Sequence, residues 1–442
     1  MYCPFDSNLA LAELAALLTD RIRPAVAGND ELLDLLDSSI GLIIRLAIEG
    51  GHPGVIASAT PSESNRRAAE IGRLAAAGSV ELIAAIQREL PEILTREAAR
   101  AALEARAKRR QPPMAPPTED ALTAYLQRYF RDPKLTARSV RIVIGGNSKQ
   151  TLSFDKVKDG TVEGLIMRRD FPQASNEKTV RDEFELLRAL NDAGFRAPSP
   201  IWVETASEEV PGVFLVTRRL EGRTAGDHAG PRKDLAPIAL DLLAGTLARL
   251  HGLPINKMRL PGYSDATFDR NAVLKMIAHF RQHDARFWDV REPILEMALR
   301  WMDANVADAI QPKVIVHGDF GFHNLFEKDG HGTLLDWEMA HPGAAAEDLC
   351  RARDGLGSWA TFTDFLKVYE SHGGTIPSTE AMRFHDVLRL TRSTVNYRNA
   401  IKYFNLGINA TVRRLNATAA LYVRNLRKIA ELIESSVTPG LP

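Results

Sequence analysis

Between Val314 and Glu338 the chain reads VIVHGDFGFHNLFEKDGHGTLLDWE, and its local geometry is narrowly set. An apolar, β-branched run leads into His317-Gly318-Asp319, and Asn324 follows five positions later. After a glycine-containing turn, a second strand-like run, TLLD, ends at Asp336. Short apolar runs bounded by turn residues read as strands. One tight loop then sets the Asp319 carboxylate and the Asn324 amide oxygen on the same side. A β-hairpin joining the pieces brings Asp336 close to Asn324.

The rest of the chain falls into segments of different texture. From Leu9 to about Ala107, apolar residues recur at helical spacing (Leu11, Leu14, Leu18 and Ile22, then Leu32, Leu36, Ile40 and Ile43), which predicts an all-helical domain over 1–110. Thr60-Pro61-Ser62-Glu63 has the pattern of a capping box. Another helix is expected from near Ser79, kinked at Pro91 and ending in the basic run Arg106 to Arg110, which suits a helix C-terminus. The four prolines of QPPMAPPTED mark a linker over 111–120.

Over 121–220, β-branched runs alternate with turns: Ser139 to Ile144, Thr151 to Phe154, Gly164 to Arg168, Ile201 to Glu204 and Val213 to Thr217. They predict an antiparallel sheet. One helix, VRDEFELLRALNDAG, interrupts it with Phe184, Leu187 and Leu190 on one face and Gly194 near its end. Within 221–442 helices dominate again, apart from VIVHGD and TLLDWE. The expected class is α+β, with an all-α domain in front.

With 442 residues, 45% of them hydrophobic, the chain can build two or three domain cores without covalent staples. Its 56 basic and 56 acidic side chains argue against a nucleic-acid binder or a protein held on an anionic membrane by bulk charge. Only Cys3 and Cys350 are present, so neither a disulfide framework nor a structural zinc site is expected. The first residues lack a basic leader, and the apolar stretch Ile40 to Ile48 is interrupted by Arg45. It is too short for a bilayer core of about 30 Å. The expectation is a cytoplasmic protein.

Phosphoryl transfer to a hydroxyl needs a carboxylate near the attacking oxygen and oxygen ligands for the magnesium that neutralises the phosphates. The Val314–Glu338 stretch contains both. His317-x-Asp319-x4-Asn324 followed by Asp336 resembles the motifs of the aminoglycoside phosphotransferase family, a small-molecule branch of the protein-kinase-like fold. The resemblance covers roughly Leu135 to Leu390. It implies that Asp319 is the catalytic base, that Asn324 and Asp336 bind Mg2+, and that His317 braces the loop. Asp336-Trp337-Glu338 has tryptophan where protein kinases have phenylalanine, which turns the reading away from protein substrates.

A two-lobed kinase-like fold further implies a nucleotide lobe upstream. Ile142 to Asp155 reads as strand, Gly145-Gly146, polar turn and strand, whose backbone amides could face the phosphates. Ser148-Lys149 stands where family members commonly have Ser-Asn. In GLIMRRD, Arg168 occupies the position of the phosphate-binding lysine of protein kinases, and a guanidinium grips phosphate as a planar fork. Arg169 points to the opposite strand face, where solvent is expected. By the same resemblance Glu183 is the helix carboxylate that pairs with Arg168. Val213 to Thr224 resembles the segment linking the lobes, and His251 receives no role. No Gly-x4-Gly-Lys-Ser/Thr or Rossmann fingerprint occurs.

The resemblance implies ATP or GTP as co-substrate. The helices after the catalytic region carry Arg389, Arg392, Tyr397, Arg398, Lys402, Tyr403, Phe404 and Arg413, a basic set that disfavours polycationic acceptors. An anionic or coenzyme A-linked alcohol fits better, in line with a weaker resemblance of DWEMAHPG to the kinase-like domains of some acyl-CoA dehydrogenase fusions. The segment before Gln111 reads as a dimerisation or partner-docking module in preference to a lid. Three rivals remain: a catalytically silent nucleotide-binding protein, disfavoured by the intact Asp319, Asn324 and Asp336; a protein kinase, disfavoured by the missing His-Arg-Asp loop; and a metal hydrolase on Asp319, Asp336 and His317, which needs more converging ligands.

Overall fold

The computed structural model describes residues 115–143, 149–170, 178–258, 260, 269–287, 292–405 and 412–437. The helices expected before Gln111, with the dimerisation role given to them, and the turn carrying Gly145, Gly146 and Ser148 lie outside the described residues. The chain divides into two compact units. One comprises Pro113–Leu274 and Val306–Asp386; the other includes Lys275–Asn305 and the chain from Val387 onward. Residues 221–442, grouped as one helical lobe on sequence grounds, contribute to both.

In the first unit, helix α1 (Glu119–Phe130) starts where the Thr118 side chain accepts the Ala121 N–H. Its Leu122, Tyr125 and Leu126 are fully buried. Five antiparallel strands follow: β1 (Thr136–Ile142), β2 (Lys149–Lys158), β3 (Thr161–Asp170), β4 (Pro200–Glu204) and β5 (Phe214–Arg218), ordered β1-β2-β3-β5-β4. The β2–β3 ladder runs from Lys149↔Asp170 to Lys158↔Thr161. It closes at Asp159-Gly160, both at positive φ, as a type I′ hairpin turn demands. The strands outrun their apolar stretches because the ladder continues through polar residues.

Period-two alternation assigns the sheet's faces. Leu165 and Met167 of β3, with Phe214 and Val216 of β5, share a core with α1, while Leu215 belongs to the core that includes helix α2 (Val180–Asp192). Helix α2 opens with a Thr179–Asp182 capping box. Its buried face is Val180, Glu183, Leu186, Leu187 and Leu190, with Phe184 only partly buried. Arg168 thus lies on the face of β3 toward α2, opposite Leu165 and Met167.

Beyond β5 the chain crosses to a second sheet through Gly222, at φ 120°, where a Cβ would stand 2.4 Å from the Glu327 carbonyl oxygen. Strand β6 (Arg223–Thr224) pairs with a later hairpin, and the small hairpin β7 (Gly226–Asp227)–β8 (Gly230–Pro231) follows. Helix α3 (Ala239–His251) belongs to the unit's main core. Helix α4 (Arg270–Phe287) leads into the second unit, where α5 (Pro293–Ala304) is capped by Glu292 accepting the Ile294 and Leu295 N–H groups. Back in the first unit, β9 (Lys313–Val316) leads to the hairpin β10 (Leu325–Lys328)–β11 (His331–Leu334), and β12 (His341–Ala344) returns to pair with β9. Helices α6 (Ala345–Leu356) and α7 (Phe362–Ser371) follow, then α8 (Thr379–Asn405) and α9 (Val412–Val437).

Within the second unit, Arg398 is 2% exposed and donates to both oxygens of Asp284, at 2.9 and 2.7 Å. It was expected among the basic residues of an acceptor pocket, but its charge is engaged inside this helical unit. Among the described residues, no helix is long and apolar enough to cross a membrane.

Candidate active site

The loop between β9 and β10 is pinned from several directions. Phe320 and Phe322 are buried in the core, and between these anchors and the buried His317 the Asp319 side chain remains 37% exposed. Gly318 has φ 84°, and a Cβ there would lie 2.7 Å from the Met339 carbonyl oxygen. Only glycine satisfies both the turn and the close approach. The Asn324 amide nitrogen donates to the Asp319 carbonyl oxygen at 2.9 Å and to its Oδ2 at 3.1 Å.

Leu335 ties this loop to the hairpin. Its N–H donates to the Asn324 carbonyl oxygen at 2.8 Å, and its own carbonyl oxygen is 2.8 Å from His317 Nε2. His317 Nδ1 lies 3.3 Å from the Asp319 backbone N–H. One tautomer serves both contacts, Nε2–H donating and Nδ1 accepting. The ring is fully buried, edge-on to Trp337 at 4.9 Å. His317 is therefore a positioning group. Asp336 follows Leu335 directly, at φ 58°, in a left-handed conformation that aspartate tolerates better than most residues. The loop and hairpin thus bring Asp319, Asn324 and Asp336 to neighbouring backbone positions.

From the five-stranded sheet, Arg168 reaches this region. Its Nη1 lies 2.7 Å from Glu183 Oε1, its Nη2 2.8 Å from Asp336 Oδ1, and Glu338 Oε2 is 3.5 Å away. Burial opposes the charge on Arg168, but the three carboxylates outweigh it and hold the guanidinium firmly protonated. Burial likewise pushes the Glu183 carboxyl up, against the pull of Arg168 and Lys149.

Several residues of the site were not singled out from sequence. Asp348, on α6, is fully buried and accepts the His317 N–H at 2.7 Å and the Gly318 N–H at 2.9 Å. His251 joins Asp348 (3.3 Å) to the Tyr369 hydroxyl (2.8 Å). Burial pushes the Asp348 carboxyl up, but these partners hold it below its usual range. Arg351, one helical turn further along α6, places Nη2 2.9 Å and Nε 3.2 Å from Asp319 Oδ1. His323 Nε2 lies 3.3 Å from Asp319 Oδ2, and the His228 ring is 4.0 Å from that of His323. Burial pushes the Asp319 carboxyl up, yet His323 and Arg351 hold it well below the usual carboxylate range.

On β2, Lys149 is 3% exposed, with Nζ 3.3 Å from Asp170 Oδ1. Arg169 corrects an expectation. It is 3% exposed, not solvated, and donates to Gln150 Oε1 and to the Ala115 and Pro211 carbonyl oxygens. Its strand face is covered by the core shared with α1, and these acceptors take up both terminal nitrogens of the guanidinium there.

The donor set around Asp319 suits magnesium. That ion takes hard oxygens, usually one or two from protein, and completes its shell with phosphate and water. Asn324 uses its amide nitrogen toward Asp319, which leaves the amide oxygen for a cation, and Asp336 adds a carboxylate. Among the described residues no cluster of three His, Cys, Asp or Glu side chains could hold a metal ion by itself.

An antiparallel lobe that delivers a cation to a carboxylate at the end of a later hairpin is the protein-kinase-like architecture in its phosphotransferase form. The chain belongs to the phosphotransferase enzyme family, whose sequence profile matches residues 140–385. It is similar to a Ralstonia eutropha protein described as a candidate aminoglycoside phosphotransferase, with 18% identity, coverage of 73% of this chain and 98% of that one, and a TM-score of 0.54. That likeness extends to the fold alone. Acyl-CoA dehydrogenase family member 11 of Gallus gallus is 28% identical over 69% of this chain and 40% of its own length. The Homo sapiens protein of that name is 26% identical over 52% and 30%. The chain thus spans well under half of these curated relatives.

Proposed function

We propose that the protein is a small-molecule kinase that transfers the terminal phosphate of a magnesium-bound nucleotide, ATP or GTP, to a hydroxyl of an anionic or coenzyme A-linked alcohol. The observation that carries this reading is Arg168 bridging Glu183 and Asp336, a cation held at the end of the hairpin that follows Asp319 and Asn324. Family membership supports the reaction class, and the names of the curated relatives favour the coenzyme A-linked acceptor.

In this reading Glu183 anchors the Arg168 guanidinium through Nη1, and Nη2, which rests on Asp336 Oδ1, turns to a nucleotide phosphate oxygen as magnesium takes up the Asp336 carboxylate. Asn324 and Asp336 hold magnesium, which when bound neutralises phosphate charge. Asp319 orients the acceptor hydroxyl and takes its proton as the phosphate arrives. His317, Asp348 and Trp337 fix the loop on which Asp319 stands. The test is incubation with magnesium and ATP or GTP against pooled small alcohols that include hydroxyacyl-CoA thioesters and aminoglycosides. One acceptor gaining a single phosphoryl mass is the expected result. A protein that neither binds magnesium-nucleotide nor phosphorylates any acceptor would contradict the reading.

A further inference from the structure

The Asp319 carboxylate has no lone pair to spare. Arg351 sets two donors on Oδ1, while the Asn324 amide and His323 Nε2 both address Oδ2. A carboxylate offers about four acceptor sites, so an incoming hydroxyl must displace one of these groups. Asn324 is also tied to the Asp319 carbonyl oxygen at 2.9 Å, and the His323 ring packs at a tilt against that of His228. Arg351 is the group free to leave. Its side chain is 23% exposed, and among the described residues its guanidinium hydrogen-bonds only to Asp319.

A guanidinium drawn off a carboxylate needs a replacement anion, because a charge left half-buried and unpaired is costly. We propose that Arg351, flanked by His228 and His323, is the specificity-determining residue of an acceptor-side anion subsite, and that the acceptor carries an oxyanion close to the hydroxyl that approaches Asp319. The proposal rests on the kinase reading and narrows its acceptor. The incoming oxyanion takes the fork of Arg351 and frees Asp319 Oδ1 for the hydroxyl. A carboxylate and a phosphate monoester present the same chemistry to Arg351. Polycationic acceptors meet its charge with their own and are disfavoured.

A cavity of about 610 Å³ is lined by Arg353, the segment from Leu356 to Phe362 and Asp364. Its Trp359 packs on Phe322 at 5.1 Å and lies 3.0 Å from where a Cβ on Gly230, two residues after His228, would stand. The His228 hairpin, the catalytic loop and the cavity wall are therefore contiguous.

The test is calorimetry on the full chain, first with magnesium and AMP-PNP, then with 3-hydroxybutyrate, its methyl ester, glycerol 3-phosphate and kanamycin in separate titrations, followed by NMR of the histidine side chains. The expected result is saturable binding of the carboxylate or the phosphate ester, at least about tenfold tighter than the methyl ester and kanamycin, given the strength of charge-assisted hydrogen bonds. Whichever arm binds identifies the oxyanion. The His228 and His323 signals should shift on binding, and Arg351→Gln should abolish the preference while Arg351→Lys keeps part of it. Equal binding of ester and acid, no anion binding, or a preference unchanged in Arg351→Gln would overturn the subsite. Failure of the first titration with an Arg351-dependent anion response would sink the kinase reading and leave the subsite standing; the reverse pattern would do the opposite.

Discussion

Asp319 and Asp348 are held ionised for different ends. Asp319 keeps part of its side chain open, whereas Asp348 is sealed against the backbone of the catalytic loop. Asp319→Asn should lower turnover by roughly two orders of magnitude or more, the usual size of a general-base effect, while magnesium-nucleotide binding persists in calorimetry. Wild-type turnover in that variant would remove its role. Asp348→Asn should destabilise the fold, because each backbone N–H left without an acceptor costs about 1–3 kcal/mol. The Asp348 carboxyl sits below its unfolded value, so its stabilisation is present above the ordinary carboxylate range and is lost as pH falls through the folded value. Acid unfolding of the wild type should be steeper than that of Asp348→Asn, and parallel acid limbs would contradict this. Asp319 was legible in the sequence because Asn324 follows at fixed spacing after a strand. Asp348 was not, since nothing local marks a carboxylate that serves backbone groups some thirty residues earlier.

At the level of elements, the hairpin before Asp336 was read from the sequence, whereas faces were the hardest feature to see. Asp159-Gly160 and Asp329-Gly330, both at positive φ, close the two hairpins that matter, and Asp-Gly between strands is a strong local signal. Period-two alternation put Arg168 and Arg169 on opposite faces correctly. It gave no means to see that α1 and the chain around Pro211 cover the second face, so Arg169 is buried where solvent was expected. In the same way, helical spacing found α2 but not that Glu183 would lie on its buried face. At the start of α5, burial pushes the Glu292 carboxyl up to about 7, with Arg398 opposing. Between pH ~4.5 and ~7 the unfolded chain loses this proton and the folded chain keeps it, so stability falls by roughly 3 kcal/mol from this group alone. Glu292→Gln should therefore be more stable than wild type at pH 8 and not at pH 4.5, as read by denaturant unfolding. Equal midpoints at both pH values would refute the assignment.

For the molecule as a whole, the kinase-like fold was legible because its parts occur in order along the chain, from cation strand and helix carboxylate to the Asp319 loop and the hairpin after it. The grouping of helices was not. The basic stretch after Leu388 belongs to a different compact unit from Asp319, and periodicity alone does not say which core a helix joins. The balanced total charge is equally uninformative about the site, where Arg168 and Arg351 each face carboxylates at close range. The central claim is that Asp319, Asn324 and Asp336 serve one magnesium-nucleotide. Titrating AMP-PNP into wild type and Asp336→Ala, with and without magnesium, tests it most directly. The account predicts that magnesium strengthens nucleotide binding in the wild type and that Asp336→Ala loses most of this gain. An identical magnesium dependence in the two proteins would contradict it.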